Sequence, residues 1–376
     1  MKTRAALMTP GGTAGLAVIQ IKGPESLAIT GKIFKAKGKD SAASFTQDRL
    51  IYGNICEGQE IIDKVVIAAD AQRQTVDVNC HGGQRIVQRI MLLLKKHGVE
   101  IGTWQELISA ESIAGEVELK LPEAKTRRAV RAIASQYPGG LAGWCGRRIE
   151  ALQKGSVFLP KVKSDAKELL STYRLGRRLL NAPTVVITGP VNVGKSTLAN
   201  SLTGKKQSIT ADLPGTTRDW TGQLTDMQGL GVNLIDTAGR RETSDEIEKQ
   251  ALEQADKQLA EADLILLVVE PAQMEQELIE RYQQELPHTA DMLIVVNKID
   301  LKEPARKNKK YLYVSAREGT NLEQLRQAVA ARFGFADFDP TRPLVFTERQ
   351  FYVLTEIVHA FDMDHLINGL KELLGK

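Results

Sequence analysis

VVITGPVNVGKST, residues 185–197, is the stretch on which the fold turns. Val185, Val186, Ile187 and Thr188 are all β-branched, the composition of a buried strand, and they run directly into Gly189. Gly194-Lys195-Ser196 then completes a GxxxxGKS pattern that opens a stretch of helical character. Between strand and helix, that pattern is a phosphate-binding loop. Its chemistry follows from the backbone. Glycines let successive N–H groups curl around phosphate oxygens, and the helix N-terminus adds partial positive charge. Lys195 can bridge β- and γ-phosphates and the Ser196 hydroxyl can ligate Mg²⁺. Gly189, Asn192, Val193, Gly194, Lys195, Ser196 and Thr197 are therefore candidate nucleotide-binding residues.

Outward from the loop the texture stays the same. NLIDT (233–237), DLILLVV (263–269) and MLIVVN (292–297) are near-continuous apolar runs, as expected of strands buried on both faces. They alternate with helical stretches near 195–203, 245–260, 273–285 and 321–332, the signature of a parallel sheet covered by helices. The strand ends carry polar groups in a telling order. Asp236-Thr237-Ala238-Gly239 closes the second run, where Asp236 can reach Mg²⁺ through water and the Gly239 amide can sense a γ-phosphate. Asn297-Lys298-Ile299-Asp300 closes the fourth. An acidic side chain there accepts two hydrogen bonds from N1–H and the exocyclic amine of guanine, which adenine cannot offer, so GTP is favoured over ATP. Ser315-Ala316 follows YLYV (311–314), where the Ala316 amide can donate to the base oxygen.

The remaining chain is of different character. Residues 1 to about 115 mix short β-like runs, LAVIQIK (16–22), KVVIAAD (64–70) and QTVDVN (74–79), with the helical RIVQRIMLLLKKH (85–97), an α+β pattern. Between Glu116 and Ala182 fourteen Lys/Arg stand against six Asp/Glu, although the whole chain of 376 residues carries only +4. The pairs Arg127-Arg128, Arg147-Arg148 and Arg177-Arg178 read either as a solvated helical surface or as an RNA-contacting one. FGFADFDPTRP (333–343) reads as a loop, and Thr347 as the N-cap of a following helix. Cys56, Cys80 and Cys145 lie far apart with no CxxC pair, so they read as reduced thiols rather than a zinc site or disulfide framework. With no apolar stretch near the roughly 20 residues of a membrane span and no apolar core of a secretory signal, the chain is expected to stay in the cytoplasm.

Taken together, the strand-end motifs resemble the five-motif pattern of the translation-factor-like GTPases over roughly 183–334. The resemblance supplies the fifth piece, Asp212–Asp219, in which Thr216 and Thr217 face the nucleotide and Thr217 is favoured for Mg²⁺. Small signalling GTPases place a water-orienting glutamine after the DxxG glycine. Arg240 stands there instead, and arginine neither accepts a proton nor orients water by amide geometry. Spacing alone leaves Glu248, twelve residues past Asp236, as either a water-positioning carboxylate or a solvated helix residue beside Asp245, Glu246 and Glu253.

GPVNVGKST (189–197), LPGTTRD (213–219) and DTAGRRETSDEIEKQ (236–250) narrow the resemblance to the MnmE/TrmE family of tRNA-modification GTPases, and TPGGTAGLAVIQIKGPES (9–26) and CHGGQRIVQRIMLLL (80–94) resemble that family's N-terminal domain. The resemblance implies catalysis by Glu248, K⁺ coordination by Asn192, and activation when two GTPase domains meet. It implies an α/β P-loop GTPase domain (183–334) inserted in an α-helical domain (116–182 plus 335–376), behind an N-terminal α+β domain (1–115) that is folate-binding-like and dimerises. It also implies Mg²⁺, K⁺ and GTP/GDP as ligands, a tetrahydrofolate derivative, a homodimer, and tRNA and a flavin-dependent modification protein as partners, with the wobble uridine as the modified base. Among the departures, Arg240 replaces a usual hydrophobic residue, GTWQELISAESIAGE (102–116) only faintly matches the family's segment after the first domain, and Leu373-Leu374-Gly375-Lys376 stands where the family ends in Cys-Ile-Gly-Lys. The competing reading is a GTP-switched RNA- or ribosome-binding regulator without modification chemistry.

Overall fold

The computed structural model describes residues 2–12, 14–37, 50–207, 222–236, 256–273, 276–285, 291–302 and 307–376. The chain forms two compact units, residues 1–110 and 111–376.

Among the described residues, the first unit is a seven-stranded sheet with two α-helices. Its strands are β1 (Arg4–Leu7), β2 (Leu16–Lys22), β3 (Phe34–Ala36), β4 (Leu50–Glu57), β5 (Glu60–Asp70), β6 (Thr75–His81) and β7 (Glu100–Ile101), in the order β3-β4-β5-β6-β2-β1-β7. All neighbours are antiparallel except β1 and β7. The alternation seen in the sequence explains the layering. Ala17, Ile19 and Ile21 of β2, Val65 and Ile67 of β5, and Val76, Val78 and Cys80 of β6 point to one face and are buried with Ile29 and Ile33 of α1 (Ser26–Ile33) and Ile90, Leu93 and Leu94 of α2 (Gln84–Lys96). Cys56, Cys80 and Cys145 are free and buried, and burial pushes the Cys80 thiol up to about 11 and Cys145 up to about 12.

The second unit holds a six-stranded sheet of β8 (Thr184–Thr188), β9 (Gln223–Met227), β10 (Leu230–Asp236), β11 (Leu264–Val269), β12 (Asp291–Val296) and β13 (Leu312–Tyr313), ordered β13-β12-β11-β8-β10-β9. Every pairing is parallel except the β9–β10 hairpin. β11 is buried along its whole length, which is why its sequence is apolar at six successive positions. Among the helices are α8 (Lys195–Gln207), which follows β8, and α10 (Leu322–Arg332), which follows β13. α9 (Gln276–Glu285) lies between β11 and β12.

Helices preceding and following this sheet in the chain pack on one another. α5 (Gly140–Gln153) meets α12 (Met363–Leu374), and α6 (Leu159–Ser171) meets α11 (Glu348–His359), with Tyr173 of α7 (Tyr173–Leu180) 4.7 Å from Phe351 between ring centroids. Thr347 caps α11 as its sequence indicated, its hydroxyl accepting from the Gln350 amide at 3.2 Å.

The three arginine pairs divide their labour. Arg128 of α4 (Arg127–Ala134) lies over the Phe335 ring at 4.8 Å and donates to the Gln228 and Phe338 carbonyls. Arg178 lies 4.7 Å from the Phe333 ring centroid and donates to the Phe333 carbonyl, and Arg148 pairs with Asp165 at 2.7 Å. Arg127, Arg147 and Arg177 are exposed. One member of each pair therefore braces the fold, and Arg177 also meets Glu348 at 3.0 Å, so the outward basic face is smaller than composition alone implies. Among the described residues, no helix is long and apolar enough to cross a membrane.

Candidate functional site

The phosphate loop follows β8, and Asp236 and Asn297 stand at the C-terminal ends of β10 and β12, where parallel-sheet topology gathers them. Asp236 ends β10 in register with Ile187 of β8, and Asn297 follows β12 beside Val269 of β11, to whose carbonyl its N–H donates at 2.8 Å.

Only glycine suits the two loop corners. Gly189 has φ +140°, and a Cβ there would run into the Val268 carbonyl; Gly194 has φ +89°, and its Cβ would meet Asn297 Nδ2 at 2.6 Å. Asn192 also takes a left-handed conformation, φ +64°. The crest of the loop is pinned from the neighbouring strand end. Asn297, 2% exposed, donates through Nδ2 to the Val193 carbonyl at 2.9 Å, and Lys298 Nζ donates to the Asn192 carbonyl at 2.5 Å. Val193 is buried beneath this crest while the Asn192 side chain is exposed on it.

Lys195 is only 7% exposed. Its Nζ donates to the Gly189 carbonyl at 3.1 Å and the Pro190 carbonyl at 2.8 Å, which leaves one of its three donors for a phosphate oxygen. Burial lowers the Lys195 pKa, and the Asp236 carboxylate acts in the opposite direction by favouring the charged form. Ser196, Thr197 and Asp236 are exposed. A hydroxyl and a carboxylate are hard oxygen donors that suit Mg²⁺, which takes one or two protein oxygens and fills its octahedron with water and phosphate. The donor set thus fits a metal shared with a nucleotide.

Past β13, Ser315 and Ala316 are buried, and the Ser315 hydroxyl accepts from the Glu318 amide at 3.1 Å, closing a turn in which Ser315 bridges Thr320. Asp300 is exposed within the turn that runs from Lys298, itself at φ +64°, to Leu301. The Ala316 N–H donates to Asn297 Oδ1 at 2.9 Å, so reaching a base oxygen requires this bond to be shared or exchanged. The Ala316 carbonyl is held by the Ser201 hydroxyl of α8 at 2.7 Å. Thr216, Thr217, Thr237, Ala238, Gly239, Arg240 and Glu248 lie outside the described residues. Sequence reading did not single out Glu270, whose Oε2 lies 3.1 Å from Lys298 Nζ. No sequence signal marks it: only the register places it one residue past β11, level with Asn297 one residue past β12.

Comparison with known proteins adds to this geometry. The family model for 50S ribosome-binding GTPases matches residues 184–298, and that for the N-terminus of the GTP-binding protein TrmE matches residues 3–105. The tRNA modification GTPase MnmE of Bacillus licheniformis is 31% identical over 343 residues, covering 81% of this chain and 74% of that protein. MnmE of Acetivibrio thermocellus is 28% identical over 418 residues, covering 99% and 89% respectively. Among solved structures, Era in complex with MgGDPNP and 16S ribosomal RNA is 29% identical, covering 40% of this chain and 56% of that one at a TM-score of 0.33. Fold, loop and matched models define the class: this is a P-loop GTPase, an enzyme that converts GTP to GDP and phosphate and binds Mg²⁺ with its nucleotide. Within that class, the chain belongs to the tRNA modification GTPase MnmE family.

Proposed function

We propose that this GTPase is stimulated by K⁺, that hydrolysis is activated when two GTPase domains meet, and that it serves 5-carboxymethylaminomethyl modification of the tRNA wobble uridine together with a flavin-dependent partner. The observation that carries the reading is the loop crest: the Asn192 main chain is locked by Lys298, and its side chain remains exposed at the rim. An amide oxygen held there is a fitting ligand for a monovalent cation shared with phosphate. When bound, K⁺ supplies positive charge beside the β/γ bridge, where the leaving group gains charge.

The chain's own residues do the rest. Backbone N–H groups between Val191 and Ser196 and the Lys195 ammonium orient the phosphates. Ser196, Thr217 and Asp236 hold Mg²⁺, and Thr216, Thr237, Ala238 and the Gly239 amide face the γ-phosphate. Asn297, Lys298, Asp300, Ser315 and Ala316 select guanine, and Glu248 aligns the attacking water through a second water, the role that Arg240 does not fill.

In this reading residues 116–182 and 335–376 act as a helical domain into which the GTPase is inserted, supported by the packing of α5 on α12 and α6 on α11. Residues 1–115 form the dimerising domain that takes the tetrahydrofolate derivative, supported by the match of the TrmE N-terminal model. A cavity of about 480 Å³ in that unit is of ligand size, but Glu100 and Glu106 oppose Arg4 and Lys95 on its walls, so none of its residues is assigned to folate.

The test is GTP turnover in K⁺ against Na⁺ at matched ionic strength. At least a tenfold advantage in K⁺ is expected from electrostatic stabilisation worth about 1.4 kcal/mol or more, lost in Asn192→Ala. Glu248→Ala is expected to turn over slowly in both salts. Equal rates in the two salts would remove the cation from the mechanism.

A second reading, a GTP-switched RNA- or ribosome-binding regulator, is favoured by the basic segment 116–182. Arg127, Arg147 and Arg177 of that segment are exposed. Normal wobble modification in cells lacking this protein, with salt-dependent RNA binding by the purified chain, would select that reading.

A further inference from the structure

We propose that Glu270 is a positioning residue of the nucleotide site. It holds the Lys298 ammonium on the Asn192 carbonyl, and so couples the guanine-reading strand end to the crest of the phosphate loop. The inference rests on the placement of guanine over Asn297–Asp300 proposed above.

The register of two strands places Glu270. Val269 of β11 pairs with Val296 of β12, and the Val269 carbonyl accepts the Asn297 N–H at 2.8 Å. The next residue on each strand is therefore a neighbour of the other, and Glu270 emerges beside Asn297-Lys298. Lysine is a flexible four-carbon stem with rotamer freedom to lose. One carbonyl is a weak reason for it to stay in place. Here it has two acceptors, the Asn192 carbonyl at 2.5 Å and Glu270 Oε2 at 3.1 Å. Both partners of the ion pair have side chains 30% exposed, dry enough for geometry to matter and wet enough for the pair to exchange.

The far end of this relay is a demanding piece of backbone. Asn192 and Lys298 both have φ +64°, a conformation that non-glycine residues seldom adopt without outside support. Lys298 ties these two positions together. Without Glu270 the ammonium keeps one anchor, and the crest between Asn192 and Gly194 loses part of what fixes it. The cost is therefore expected at the phosphates as well as at the base. Asn297, which holds the Val193 carbonyl, is a parallel tie that Glu270 does not touch.

The experiment is a double-mutant cycle on the full chain, read as affinity and dissociation rate of a fluorescent GDP. Glu270→Gln keeps shape and removes charge, and it is expected to weaken GDP binding about three- to tenfold, mainly through faster release. Glu270→Asp keeps the charge and should lie between Glu270→Gln and the unmodified protein. In a Lys298→Ala background Glu270→Gln should add less than about twofold, because the group it positions is gone. An equal loss in both backgrounds, or no loss on Glu270→Gln where Lys298→Ala weakens binding, overturns the relay. If Lys298→Ala and Asp300→Ala both bind GDP normally, the underlying placement of guanine is what has failed. A merely structural role for Glu270 would lower stability without this loss of additivity or rescue by aspartate.

Discussion

A protein carrying Lys195→Ala is expected to release phosphate from saturating GTP about 100- to 1,000-fold more slowly than the unmodified chain, the usual cost of removing one preorganised charge from a transition state. The expectation rests on where the ammonium sits. Lys195 is nearly buried, anchored on the carbonyls of Gly189 and Pro190, with a third donor free for the oxygens that gain charge during transfer. A side chain so placed needs no reorganisation when the reaction starts. Lys195→Arg should not restore the rate, because a planar guanidinium cannot make both short bonds to carbonyls on one loop and still reach the same phosphate oxygen. Phosphate release would be measured beside a thermal melt, so that loss of folding is separated from loss of chemistry. Turnover within tenfold of the unmodified protein, with folding intact, would exclude Lys195 from the transition state.

Much of this site was legible because its chemistry lies at strand ends, and parallel strands write themselves plainly. β8, β10, β11 and β12 are apolar on both faces, so each stands out from its surroundings and the polar residues that follow are easily found. β9 was not legible. Its sequence, QLTDM, alternates because it is an edge strand in a hairpin, and its five residues carry no strong signal. YLYV suggested a strand of four residues, but only Leu312 and Tyr313 pair with β12. Glu270 was invisible for a different reason: a carboxylate after an apolar run means nothing until the register with the next strand sets it beside Lys298. The same holds for Arg128. Its charge was read as part of a basic face, yet its position over the Phe335 ring and against the β9–β10 turn depends on residues roughly a hundred to two hundred places away. Periodicity reports burial of a face; it does not report which distant partner completes a polar group.

Glu116 gives the largest expected effect on stability. Its carboxylate is 4% exposed in α3 (Ile113–Lys120) and every strong acceptor direction is used: the Thr347 hydroxyl at 2.5 Å, Arg349 Nε at 3.0 Å and Nη2 at 2.7 Å, and Gln350 Nε2 at 2.8 Å. All three partners lie at the start of α11, and Arg349 reaches on to the Glu372 and Leu373 carbonyls of α12. One carboxylate thus joins three helices. Removing it in Glu116→Ala leaves a guanidinium, an amide and a hydroxyl facing a buried gap. Because the Arg349 side chain is one quarter exposed and can still find water, the cost belongs near the lower end for a broken buried pair, about 3 kcal/mol. For a unit of this size that corresponds to a fall in melting temperature of roughly 10 °C. Glu116→Gln keeps the volume and one acceptor oxygen and should lose about half as much. Circular dichroism melts of the three proteins test the order, and hydrogen exchange across α12 locates the damage, since loosening should appear between Met363 and Leu374 before it appears in the sheet. A Glu116→Ala melt within about 2 °C of the unmodified protein would mean that the network is satisfied as well by water as by the carboxylate, and that the hydrophobic contacts of α5 and α6 alone hold α11 and α12 in place.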